Sequence, residues 1–76
     1  MGTPKEILPH RKQIGDAIRR CRKQMKLTQE TLAEQVHLNP KYLGEVERGE
    51  KIISIEALMR IAKALKKPVA DFLQGL

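Results

Sequence analysis

The sequence predicts an all-α fold of five short helices, and three observations predict it. Apolar residues recur at three- and four-residue spacing along most of the chain, the period of a helix with one buried face. Thr28, Asn39 and Ser54 each stand just before such a run, where a side-chain oxygen can accept from an unpaired amide of a starting helix. The 76 residues hold one Tyr, one Phe and no Trp, so the hydrophobic 41% is almost entirely aliphatic, which suits packed helices in a single modest core.

Residues 1–10, with Pro4 and Pro9, read as a flexible N-terminal arm, and residues 11–76 as one domain. The first helix is expected from Arg11 to Met25, with Ile14, Ile18, Cys21 and Met25 on one face. Gly15 and Ala17 are small enough there to admit a close neighbour. Cys21 is alone, so it has no internal disulfide partner and is expected to be a buried structural thiol. A second helix should begin at about Gln29, after the Thr28 cap and with Glu30 in the first turn, where the helix dipole favours negative charge. Its buried stripe is Leu32, Ala33 and Val36.

The pattern breaks over Val36, His37 and Leu38, and Asn39-Pro40 restarts it, because Pro suits a first helical position that needs no amide donor. In this third helix Leu43 and Val46 face inward and Lys41, Tyr42, Glu45 and Arg48 outward, with Gly49 placed to end it in a left-handed conformation. Ser54 caps a fourth helix, with Glu56 in its first turn and Ile55, Leu58, Ile61, Ala62 and Leu65 as the buried stripe; Pro68 stops it near Lys66. A last short helix, Val69 to about Gln74, offers Val69, Phe72 and Leu73. Two short helices meeting at a tight turn over residues 28–49 are the sequence form of a helix-turn-helix, whose second helix a DNA major groove admits.

The formal charge is +6, and it is unevenly placed. Residues 1–26 carry eight Lys or Arg against two acids, residues 27–53 three against five, and residues 54–76 four against two. The reading segment is thus slightly acidic, and attraction to phosphates should come largely from Arg11, Lys12, Arg19, Arg20, Lys23 and Lys26. No run approaches the roughly 18 apolar residues that cross a bilayer, and the first residues lack the apolar stretch of a secretory signal, so a cytoplasmic protein working at the nucleoid is expected. His10, His37 and Cys21 lack the close spacing of metal ligands, and no phosphate-cradling Gly-rich loop or activated nucleophile is visible. No metal, cofactor, small-molecule ligand or enzymatic activity is expected.

With these motifs placed, the stretch Ile14–Leu73 resembles the lambda-repressor-like DNA-binding domain of the XRE/Cro family of prokaryotic and phage regulators. The matching residues are Ile14-Gly15 and Ile18-Arg19, then Arg22, Leu27-Thr28-Gln29, Leu32-Ala33, Leu43 with Glu47-Arg48-Gly49, and Leu58, Ile61-Ala62 and Ala64-Leu65. The run from Asn39 to Arg48 also resembles the recognition helix of restriction-modification controller proteins. The resemblance implies that Lys41, Tyr42 and Glu45 contact bases, with Lys41 able to donate to guanine, Glu45 to accept from cytosine, and Tyr42 to touch a thymine methyl or a phosphate. It implies phosphate contacts for Thr28, Gln29, Asn39, Arg48 and Lys51, and a structural ion pair between Arg22 and Glu47. Lys26 and His37 stand where the family commonly has glycine, so positive φ is expected at both. Ile53 stands where it commonly has proline, and Lys67 where an apolar residue is usual.

The function these features imply is a sequence-specific transcriptional regulator that occupies a two-fold DNA operator as a homodimer, with a restriction-modification operon as one candidate target. RNA polymerase is a candidate partner. Ile52, Ile53, Phe72, Leu73 and Leu76 are the apolar residues left for a dimer interface. The alternatives are an antitoxin or phage-type repressor, and a protein-interaction module of the coactivator kind with weak DNA specificity.

Overall fold

The structure, a computed structural model, describes the backbone of residues 4–74 and the side chains of residues 10–74. Four α-helices follow one another: α1 (Pro4–Gln24), α2 (Gln29–Gln35), α3 (Pro40–Glu47) and α4 (Ile55–Ala64). A single 3-10 turn, Val69–Phe72, stands where a fifth helix was expected. Its bonds run from Asp71 N to Pro68 O and from Leu73 N to Ala70 O, three residues back, which is the 3-10 spacing rather than the α-helical one.

The caps form where the sequence places them. The Thr28 side chain accepts from Thr31 N, Asn39 from Lys41 N and Ser54 from Ala57 N, each in an extended backbone conformation. Helix ends obey one rule. Lys26, His37, Gly49 and Lys66 all have positive φ, 59°, 59°, 77° and 58°. After each, the next amide reaches back five residues: Leu27 N to Arg22 O, Leu38 N to Ala33 O, Glu50 N to Glu45 O and Lys67 N to Ala62 O. All four α-helices therefore close with the same Schellman pattern, and only one of the four uses glycine. Lys66 was not anticipated, since nothing in its residue type signals a left-handed conformation.

The core gathers Ile14, Ala17, Ile18 and Cys21 of α1, Leu32, Ala33 and Val36, Leu43 and Val46, Ala57, Leu58, Ile61, Ala62 and Leu65, with Ile53 and Phe72. Helix α1 packs across α3 and the 3-10 turn, and α2 bridges α3 and α4. Gly15 makes the α1–α3 crossing possible: a Cβ there would stand 2.7 Å from the Glu47 carbonyl oxygen and closer still to that of Val46. Cys21 is a buried free thiol.

Several expectations need correction. The arm expected over residues 1–10 is helical from Pro4 onward, as Pro at a first helical position has its φ preset and lacks only a donor that would go unused; residues 1–3 lie outside the described residues. Met25 is exposed because α1 ends at Gln24 and the chain reverses at Lys26. Ile55 is exposed as well, and Ala57 takes its place in the stripe. At 3.6 residues per turn Ile55 falls about 90° from the centre of the face that Ala57, Leu58, Ile61, Ala62 and Leu65 define. Ile53 and Phe72, expected at a dimer interface, are buried within the domain: Ile53, in place of the family's proline, and Phe72, on the 3-10 turn, close the core.

Relief of the left-handed strain gives a direct check. Lys66→Gly and His37→Gly are each expected to stabilise the fold by up to about 1 kcal/mol, read as a raised midpoint in chemical denaturation. Gly49→Ala, which forces the reverse change, should lower it by a similar or larger amount.

Candidate nucleic-acid interface

The site is built around a buried charge. Arg22, in the last turn of α1, points across to Glu47, the last residue of α3, through two parallel bonds, Nε to Oε2 at 2.7 Å and Nη2 to Oε1 at 2.9 Å. The side chains are 8% and 2% exposed, so the pair is nearly dry. The third nitrogen, Nη1, donates to the Leu27 carbonyl at 2.7 Å, in the turn before α2. Glu47 Oε1 accepts once more, from Gln29 Nε2 at 3.0 Å. Four points of the chain are thereby joined, and both ions have the bonds that burial demands.

Gln29 opens α2 and lies half-buried beside an open cleft lined by Lys12, Asp16, Arg19, Lys23 and Arg48 together with the ion pair. Four of these side chains are cationic and only Asp16 opposes them at the rim, itself bonded to Lys12 at 2.9 Å. The cleft brings part of the α1 charge to the edge of an otherwise acidic reading segment. Arg20 belongs to a different groove, beside Phe72 and Asp71, and so does not share this surface.

Lys41 is exposed on α3, and Glu45, one turn on, is half-buried. Tyr42 is less free than its position implies: its ring packs against the core and its hydroxyl donates to the Ile52 carbonyl at 3.5 Å. Tyr42 is thus half-buried, with its hydroxyl already engaged. The Thr28 hydroxyl accepts from Thr31 N and donates to Thr31 Oγ1 at 2.9 Å, and Asn39 Oδ1 is held by Lys41 N at 2.7 Å, so both side chains are engaged in starting their helices. Lys51 is exposed beyond α3.

Arg48 has a partner that spacing did not reveal. Its Nε and Nη2 bond Glu50 at 2.7 and 3.2 Å. The hydrogen bond, and then the charge, of Glu50 raise the Arg48 pKa, and the same hydrogen bond holds Glu50 below the usual carboxylate range. Both groups are exposed, so this contact orients Arg48 more than it stabilises the fold. A Glu two residues after an Arg was the available signal, but across a helix end such a pair has no fixed geometry until the turn at Gly49 is known.

Of the residues expected at a dimer interface, Ile52 is exposed, Leu73 is half-buried against the core, and Leu76 lies outside the described residues. Ile52 has two exposed apolar neighbours in sequence on α4: Ile52, Ile55 and Met59 are 58%, 67% and 56% accessible. Among the described residues no helix is long and apolar enough to cross a membrane.

Comparison with known proteins follows the same outline. The chain is 38% identical over 65 residues to the control protein C.SmaI of Serratia marcescens, covering 83% of this chain and 77% of that one. It is 36% identical over 63 residues to an uncharacterized transcriptional regulator in the ATPase CF(0) region of Rhodospirillum rubrum, and spans 58% of that protein's length. In structure it is similar to the restriction-modification controller protein C.AhdI from Aeromonas hydrophila, with a TM-score of 0.79 at 32% identity over 82% of this chain and 94% of the other. The pattern that defines the helix-turn-helix family matches residues 18–72, from the middle of α1 to the end of the 3-10 turn. The chain belongs to the helix-turn-helix family of XRE type, a family of DNA-binding transcriptional regulators.

Proposed function

We propose that this chain is a sequence-specific regulator that occupies a two-fold DNA operator as a homodimer, with the genes of a restriction-modification system as its target. The observation that carries the reading is a juxtaposition. Lys41 and Glu45 share one face of α3 with Arg48, at i, i+4 and i+7, and Arg48 lines a cleft where Lys12, Arg19, Lys23 and Gln29 also collect. A helix in a major groove needs base-reaching side chains flanked by donors to phosphate, and this surface supplies both. The restriction-modification target is supported by the likeness to C.AhdI, a restriction-modification controller protein, beside the likeness to the control protein C.SmaI.

One copy reads only a few base pairs, so useful specificity calls for two copies on half-sites about 34 Å apart. The interface we propose differs from the one the sequence suggested. With Ile53 and Phe72 inside the core, the exposed apolar residues on and just before α4, among the described residues, are Ile52, Ile55 and Met59, and these are the surface offered to a second copy. Ile55 and Met59 are one turn apart on α4, and Glu56 and Arg60, paired at 3.4 Å, border them. A polar rim around exposed apolar residues is the ordinary anatomy of a contact surface.

Lys41→Ala is expected to weaken binding to the true operator by roughly 1–3 kcal/mol while leaving binding to a scrambled duplex nearly unchanged, measured by gel shift at fixed salt. Tyr42→Phe keeps the ring in its packing and should change operator affinity little if a ring edge makes the contact. Met59→Glu places a charge in the proposed interface without touching the core; sedimentation should show monomer where the wild type is dimer. A wild type that is monomeric at micromolar concentration, on and off DNA, would remove the two-fold model.

A further inference from the structure

The segment that joins α3 to α4, from Arg48 to Ser54, is held from three sides. Gly49 N and Glu50 N reach back into α3, to Val46 O at 3.0 Å and Glu45 O at 2.8 Å. Helix α1 lies against the same turn: a Cβ on Gly49 would stand 3.2 Å from Lys12 Cα, and Arg11 Nη1 donates to Glu50 O at 3.4 Å. Further on, the Tyr42 hydroxyl donates to Ile52 O at 3.5 Å, the Ile53 side chain is buried in the core, and Ser54 Oγ accepts from Ala57 N at 3.1 Å. Neither of the two long bonds would hold the segment alone. With Ile53 buried and α1 against Gly49, they leave it few ways to move.

What the segment joins gives this restraint a use. Arg48, at its start, shares a face of α3 with Lys41 and Glu45. Ile52, four residues later, opens the exposed apolar patch that continues with Ile55 and Met59. The reading face and the surface offered to a second copy are thus the two ends of one short piece of chain, and Tyr42 ties them: it follows Lys41 on α3 and holds the Ile52 carbonyl. In a dimer built on that patch, a stiff connection places the second reading helix at one separation, whereas a compliant one would let it reach neighbouring spacings at little cost.

We infer that the α3–α4 segment is a strut that sets which half-site spacing the protein accepts, with Tyr42 as the positioning residue that keeps it stiff, an inference that rests on the homodimer reading above. Arg11 acts to the same end from α1. The roles on α3 then divide: Lys41 bears on which bases are read within a half-site, and the Tyr42 hydroxyl on the distance between two half-sites.

The test compares the wild type, Tyr42→Phe, Arg11→Met and the double variant on the operator located by footprinting in the gene's own upstream region, and on the same duplex with one base pair inserted between the half-sites. The insertion moves one half-site by about 3.4 Å and turns it by about 34°. Binding is read by fluorescence anisotropy, at concentrations where sedimentation shows each protein to be a dimer, and folding by thermal melting. Each protein is compared with itself, so a lost charge or base contact cancels from the ratio of the two affinities. That ratio should be roughly tenfold for the wild type, roughly threefold for each single variant and under about twofold for the double variant. Amide hydrogen exchange over residues 50–53 should quicken in the same order, without DNA. A folded, dimeric double variant that keeps the wild-type ratio overturns the strut and leaves two-fold recognition standing; should that protein melt early, Tyr42→Phe, which keeps the ring, decides in the same way. A folded double variant that no longer dimerises also overturns it, because the segment then belongs to the interface itself. A wild type that is monomeric, or indifferent to the inserted base pair, removes the two-fold reading and the strut together.

Discussion

The structure depends on one buried ion pair. Arg22 and Glu47 close α1 onto α3, and the remaining bonds of the same two side chains hold the turn at Leu27 and the amide of Gln29. Taking two charges out of water carries a penalty of several kcal/mol per ion, offset only when geometry and hydrogen bonds are nearly complete. Here they are: every Arg22 nitrogen has an acceptor and both Glu47 oxygens have donors. The constraint is directional in a way that apolar packing is not. It fixes where α2 starts relative to where α3 ends, and so holds the helix-turn-helix against α1 as one unit.

Helix starts were legible in the sequence because their chemistry is local: a capping oxygen and a following amide are two or three residues apart at Thr28, Asn39 and Ser54. Stripes were legible for the same reason, apart from their ends, where Met25 and Ile55 leave the periodic face once the helix stops or its phase is set by Ala57. Non-local facts were harder. Arg22 and Glu47 are 25 residues apart, and no spacing rule joins them; only the family resemblance suggested the pair. Phe72 and Ile53 looked like spare apolar surface because nothing in the chain states how many side chains the core can take. Lys66 carries no such signal, because a lysine gives no sign of a left-handed backbone, although its place after α4 repeats that of Gly49 after α3.

The acidity of residues 27–53 also takes on a different meaning in three dimensions. Glu47 and Glu50 do not simply oppose an approaching polyanion; each is bonded to a donor at the same surface, Gln29 and Arg48. Low affinity contributed by the segment is thus exchanged for definite orientation of the groups that remain. Glu45, half-buried on α3, adds to the field at Arg48 without bonding it in this way. An acidic count in a reading segment is compatible with anion recognition when the carboxylates beside the cationic cleft are engaged with neighbouring donors, as Glu47 and Glu50 are.

The separation of charge between α1 and the helix-turn-helix has a kinetic consequence. With residues 1–26 at eight cations against two acids and residues 27–53 at three against five, the molecule is an electric dipole as well as a cation. Near a polyanion it experiences a torque, which turns the Lys12, Arg19 and Lys23 side forward before any atom touches. Encounters are then pre-aligned on the cleft that these side chains share with Gln29 and Arg48. Such steering acts over about a Debye length, roughly 8 Å at physiological salt, so added salt slows arrival more than it loosens a contact already made at short range.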